Sequence, residues 1–352
     1  MKSKRLIAFV LALACLLLCG CERNYKEEKS SKKDRQVVAT VGNYEVKYEL
    51  VRALFYVYKA DVDKGDESVW SSPEASNYFS EVMAMVEPMI CKIYGTLDFA
   101  KQCGIEPFGD KINEQVEAYV RMDIEGGMVG TTEVEGYGSR KAYLEALEER
   151  HITDSVNRLL YRYSACISAL NTYYVNTYAN GAIRMDRESI EAYYQSDDCL
   201  HFGWAKLEKS NVLSNEQMLI LANTARENLL ACTSYEQMRP IILSYSLSLT
   251  AEDVEQGLYF SKNSLDAAYQ PLIEVAEQLS PLQVSEVISL FDGYYILIGL
   301  QKQNSYLDTT VGAKEIETLY LEHLMYQAID EHIASHSVTF KVDMSTYALP
   351  LS

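Results

Sequence analysis

Up to Gln195 the apolar residues recur every three or four positions, and beyond Ser196 they come in short unbroken runs. A helix repeats every 3.6 residues and a strand every two, so one chain carrying both patterns in succession must build two kinds of layer. Ser155 to Tyr178 holds the plainest helical stripe, with Val156, Leu160, Tyr163, Ile167, Leu170, Tyr174 and Tyr178 stepping by three and four. Leu50, Val51, Leu54, Phe55 and Tyr58 form a second stripe, and Asn77 to Cys103 and Asp110 to Ile124 behave alike. Met83, Met85 and Met89 fall at near-helical spacing and read as core. Val37 to Val46 alternates as a strand turning at Gly42-Asn43, and the Gly-rich Glu125 to Gly138 reads as a loop.

After Ser196, His201 to Leu207, Ile241 to Leu249, Leu258 to Phe260 and Tyr294 to Leu300 read as strands. Asn215 to Leu230 and Asp266 to Leu279 are expected to be helices between them. Ala313 to Ile333 returns to helix, with Ile316, Leu319, Tyr320, Leu324 and Ile329 apolar, and Val338 to Val342 is strand-like. The expected fold class is therefore α+β: a mainly helical domain over 37–195, a small α/β domain over 196–303, and a segment 304–352 that completes the helical domain. The returning helix has no partner inside a small sheet domain, so it is expected to pack on the N-terminal helices.

Lys2, Lys4 and Arg5 precede the uncharged run Leu6 to Gly20, which is about five residues short of the roughly 20 that a helical span needs. This is the layout of a secretory signal. Leu18-Cys19-Gly20-Cys21 resembles the cleavage site of bacterial lipoproteins, which implies removal of 1–20 and lipidation at Cys21 on the extracytoplasmic face of the cell membrane. Residues 21–36 are charged, without apolar periodicity, and read as a flexible tether.

The 32 basic and 50 acidic residues give a net charge of −18, which disfavours nucleic acid as a partner. Cys91, Cys103, Cys166, Cys199 and Cys232 are odd in number and lack C-x-x-C spacing, so neither a complete disulfide framework nor a cysteine metal site is expected. Cys91 and Cys103 lie twelve residues apart on one expected helix, about 18 Å, too far to bridge. Hydrolase, NTPase and phosphate-loop motifs are missing, Gly126-Gly127 included, and no cofactor is expected.

Glu188 to Tyr194 and, more specifically, Leu279 to Ile298 resemble SurA-like and PrsA-like foldases, extracytoplasmic proteins that carry a parvulin-type prolyl isomerase domain. Val284-Ser285-Glu286-Val287 and Gly293-Tyr294-Tyr295-Ile296 occupy the places of that family's turn and following strand, and Val38 to Tyr58 is similar to its opening strand and helix. The resemblance implies a chaperone domain with an inserted parvulin-like domain, and unfolded or secreted polypeptides as partners.

It also implies a pocket. Rotation about an X–Pro bond crosses roughly 18–20 kcal/mol without breaking a bond, so an apolar grip on the ring and polar groups against the twisted amide suffice. The family's second histidine falls on Tyr295, and its first near Trp204, with His201 three residues away. Leu265 stands where the family has Met or Leu, and Ile273 where it has Phe. Isomerase activity through this divergent set, a non-catalytic chaperone, and a solute-binding or surface-assembly lipoprotein all remain open. The 27 tyrosines suit sequence-tolerant contact with extended peptides, and equally suit a core.

Overall fold

The computed structural model describes residues 25–129, 132–208, 213–246, 249–262, 270–290, 293–309 and 311–345. Cys21 and Leu265 lie outside them. The fold is α+β, as the change of period requires. Contacts divide the chain into Met1–Tyr173 with Gln327–Ser352 as one unit, and Tyr174–Tyr326 as the other.

In the first unit, β1 (Val37–Val41) and β2 (Tyr44–Lys47) form a hairpin. Its turn holds Gly42 at φ +53°, a left-handed conformation that glycine adopts without a Cβ penalty. The other edge of β1 takes β9 (Val338–Phe340) from the far end of the sequence, giving the antiparallel order β2-β1-β9. The helices are α1 (Tyr48–Asp63), α2 (Ala75–Gln102), α3 (Asp110–Glu125), α4 (Arg140–Glu148) and α5 (Asp154–Ala179), the last reaching past Tyr173. Strands β3 (Gly127–Val129) and β4 (Thr132–Val134) pair where the sequence read as loop, because a short hairpin needs too few residues to display an alternation.

A buried polar network ties α3, α4 and α5 together. Tyr161 Oη donates to the Asp123 carboxylate, Asn157 Nδ2 donates to Asp123 Oδ2 at 3.3 Å and to Tyr143 Oη at 3.1 Å, and Tyr143 Oη donates to Asp154 Oδ1 at 2.8 Å. Helix α11 (Ala313–Ile333) enters this unit at Gln327. There a Cβ on Gly95 would stand 2.7 Å from Ile333 Cγ1, so the glycine of α2 is what admits the end of α11.

The second unit holds an antiparallel sheet of order β6-β5-β8-β7, made by β5 (Cys199–Glu208), β6 (Leu258–Ser261), β7 (Ile288–Ser289) and β8 (Gly293–Gly299). Alternation sends Ala205, Leu207, Ile296 and Ile298 to one face, against α7 (Asn215–Leu230) and α8 (Tyr235–Tyr245). Leu200, Phe202, Tyr295 and Leu297 go to the other, against Leu272 and Ile273 of α10 (Gln270–Ala276). The short α9 (Ala251–Gln256) leads into β6. Ile190, Tyr193 and Tyr194 of α6 (Arg187–Gln195) pack with Cys199, Tyr259 and Ile316 in a third cluster.

One expectation is corrected. Ile241 to Leu249 is not a strand: Ile241 to Tyr245 ends helix α8, and Met238 and Ile242, four apart, turn the buried face inward while Leu243 is exposed. A short β-branched run fits either period, and packing of the helical face on the sheet decided it. Among the described residues no helix is long and apolar enough to cross a membrane.

Candidate functional site

The second unit brings three of the expected pocket residues together. Trp204 of β5 and Tyr295 of β8 lie on the same sheet face with ring centroids 5.3 Å apart, and Ile273 of α10 packs in the same cluster. Phe260 and Phe202 complete the wall, stacked at 5.4 Å, and Lys206 Nζ sits 5.6 Å from the centroid of the Tyr295 ring. Tyr295 has no exposed surface, and Ile273 has 1 %. Tyr295 and Ile273 are thus core residues of this sheet face.

His201 is not part of this group. It sits three residues before Trp204 on the same strand, and an odd separation puts it on the opposite face. Its Nδ1 and Nε2 each lie 3.1 Å from a backbone carbonyl, those of Gln301 and Gln256, and its ring stacks on Tyr259 at 4.0 Å. Burial lowers its pKa and favours the neutral ring, in which only one of the two nitrogens donates to its carbonyl. This histidine fastens the edge of the sheet.

The first unit contains a groove of about 880 Å³. One wall is α2, where Phe79, Met83, Glu87 and Cys91 recur every four residues, with Ala84 and Pro88 beside them. The facing wall is the segment around β9, where His336, Val338, Phe340, Val342 and Met344 recur every two. A helical face thus meets an extended face across an unfilled apolar gap, and Ala84, Pro88 and Ser337 open it to solvent. Pro88 has no N–H, so the carbonyl of Ala84 loses its helical donor on this wall. Glu87 and Asp343 give the rim negative charge.

The sequence alone does not reveal this groove, since Met83 reads as core and Val338 to Val342 as a terminal strand. Met83 is indeed only 6 % exposed, yet it lines the gap. Both periodicities were visible separately, and nothing in either says that the two faces meet.

No family model matches the chain, and no curated protein matches it. Solved structures that match include the foldase protein PrsA from Streptococcus pneumoniae strain Canada MDR_19A, at 15 % identity over 77 % of this chain and 91 % of that one, with a TM-score of 0.35. PrsA from Bacillus subtilis matches at 15 % identity over 86 % of this chain and 91 % of that one, with a TM-score of 0.26.

Proposed function

We propose that this chain is an extracytoplasmic folding factor that holds unfolded, secreted polypeptides in the groove of its first unit and is anchored to the membrane by lipid on Cys21. The observation that carries the reading is the groove itself: two apolar walls of different period, about 880 Å³ between them, and an acceptor freed by Pro88. That volume lies within the range of sites that take small organic groups, enough for several side chains of an extended segment. The anionic rim at Glu87 and Asp343, within a chain of net charge −18, favours apolar segments flanked by Lys or Arg.

The parvulin-like reading of 196–303 belongs to the same proposal, with a site that binds poorly or not at all. Trp204, Tyr295, Ile273 and Leu265 remain the expected pocket, and the full burial of Tyr295 supports a non-catalytic or weakly catalytic unit over an active isomerase. Ala84 is itself exposed, so Ala84→Trp would fill the groove without replacing a buried residue. It should lower suppression of client aggregation several-fold while leaving the fold intact. Unchanged suppression by Ala84→Trp would overturn the groove as the client site. A chain that suppresses no aggregation at all would favour the solute-binding or surface-assembly alternative. Cys21→Ala should move the protein from the membrane to the soluble fraction, and retention at the wild-type level would remove the anchor from the proposal.

A further inference from the structure

We propose that Asp98, His332 and His336 form a binding site for a divalent transition-metal ion of the zinc class. The three side chains come from α2, from the last turn of α11 and from the residues just beyond it, all within the first unit, and their ligand atoms lie within 4.8 Å of one another. His332 Nε2 is 3.1 Å and His336 Nε2 is 3.8 Å from the same oxygen, Asp98 Oδ2. In a tetrahedral zinc site with bonds of about 2.0–2.1 Å, ligand atoms stand about 3.3 Å apart, so closing the set shortens the separations by at most about 1.5 Å.

The tautomer supplies the stronger reason. His336 Nδ1 lies 3.0 Å from the carbonyl oxygen of His332, which can only accept, so Nδ1 carries the proton. Nε2 is then the ring nitrogen left to take a cation, and it lies 3.8 Å from Asp98 Oδ2. A divalent ion between them would be shared by an imidazole nitrogen and a carboxylate oxygen. The Nδ1–H bond to a backbone carbonyl is also the arrangement that orients metal-ligating imidazoles. Two imidazoles and one carboxylate suit zinc and its neighbours rather than calcium or magnesium, which prefer oxygen alone.

Three protein ligands leave at least one coordination position for water or a bound group. The histidines and Asp98 keep partial exposure, so an ion has an entry path. His336 also lines the groove, so the ion would sit at one end of it. The site stands whether or not the groove binds polypeptides, because its geometry uses none of the other groove residues.

Calorimetric titration of the full chain in detergent with Zn2+ alone tests this, with Asp98→Asn, His332→Gln and His336→Gln measured beside it. One saturable site per chain is expected, weakened at least about tenfold in each variant. At about one hundred times its Kd, Zn2+ should raise the melting temperature of the first unit by about 5–10 °C, and chelation should reverse this. Co2+ should give a visible absorption band in the wild type that each variant loses, a readout that a purely structural histidine pair would not produce. The proposal is overturned if no saturable site exists at 100 μM free Zn2+, or if all three near-isosteric variants bind as the wild type does.

Discussion

Trp204 meets Tyr295 edge to face across the β5–β8 pair, with centroids 5.3 Å apart at 64°, although their register partners are Leu297 and Lys206. Such diagonal neighbours are within reach of aromatic rings. Because Tyr295 is fully buried, Tyr295→Ala is a core truncation, expected to destabilise the second unit by about 3–5 kcal/mol and to change Trp204 fluorescence. Tyr295→Phe keeps the ring and should cost far less. Denaturant unfolding monitored by Trp204 emission distinguishes them, and equal costs would show that the hydroxyl, not the ring, holds this face.

Isomerisation of a proline peptide by the wild type should be weak, because Tyr295 and Ile273, expected to line the pocket, are buried in the core of their sheet face. A protease-coupled assay measures this directly. Robust turnover abolished by Tyr295→Phe would mean that the face opens in solution.

Gly95→Ala sets two effects against each other. Replacing a helical glycine gains about 1 kcal/mol in propensity, while forcing a Cβ to 2.7 Å from Ile333 Cγ1 costs about 1–3 kcal/mol of overpacking. Ile333 Cα is only 3.6 Å from the same point, so yielding is restricted and the net effect should be destabilising. In an Ile333→Ala background the sign should reverse. A double-mutant cycle by thermal unfolding reads this coupling, and additive changes would refute the close approach.

Burial pushes the Asp123 carboxyl up to about 6, against the opposing hydrogen bonds from Tyr161 and Asn157. The folded carboxyl then holds its proton more tightly than the unfolded one, whose pKa is about 3.9, so protonation favours the fold. This contribution is complete below about pH 4 and is lost as pH rises through about 6, up to about 3 kcal/mol in all. Asp123→Asn should flatten that part of the stability profile of the first unit, as followed by chemical unfolding between pH 4 and 8.

Thiol reactivity should divide the free cysteines. Burial raises Cys91, pushes Cys166 up to about 12 and Cys199 up to about 11, so these three should resist a thiol reagent at neutral pH. Cys103 and Cys232 are half-exposed and should react before them, although burial raises the Cys103 thiol as well. Mass spectrometry after brief labelling would locate the adducts, and early modification of Cys166 would mean that α5 opens.

What the sequence determined by itself was the kind of element at each place. Period 3.6 located Asn215–Leu230 and Ala313–Ile333 to the residue, because burial of one helical face imposes a spacing that is written locally, and short unbroken apolar runs found β5 and β8, which are buried on both faces. It failed at Ile241 to Tyr245, where five apolar and polar residues satisfy both periods and only the sheet underneath selects helix. The alternation along β5 was equally legible, yet whether His201 or Trp204 faced Tyr295 required knowing which face β8 shared. Tertiary structure alone set Val338 to Met344 against Phe79 to Cys91 and brought His332 within 3.1 Å of Asp98 across 234 residues of sequence. Periodicity records that a face is buried and is silent about its partner, since apolar burial is non-directional. The groove and the histidine cluster are made by partners, and so neither could be read from the chain alone.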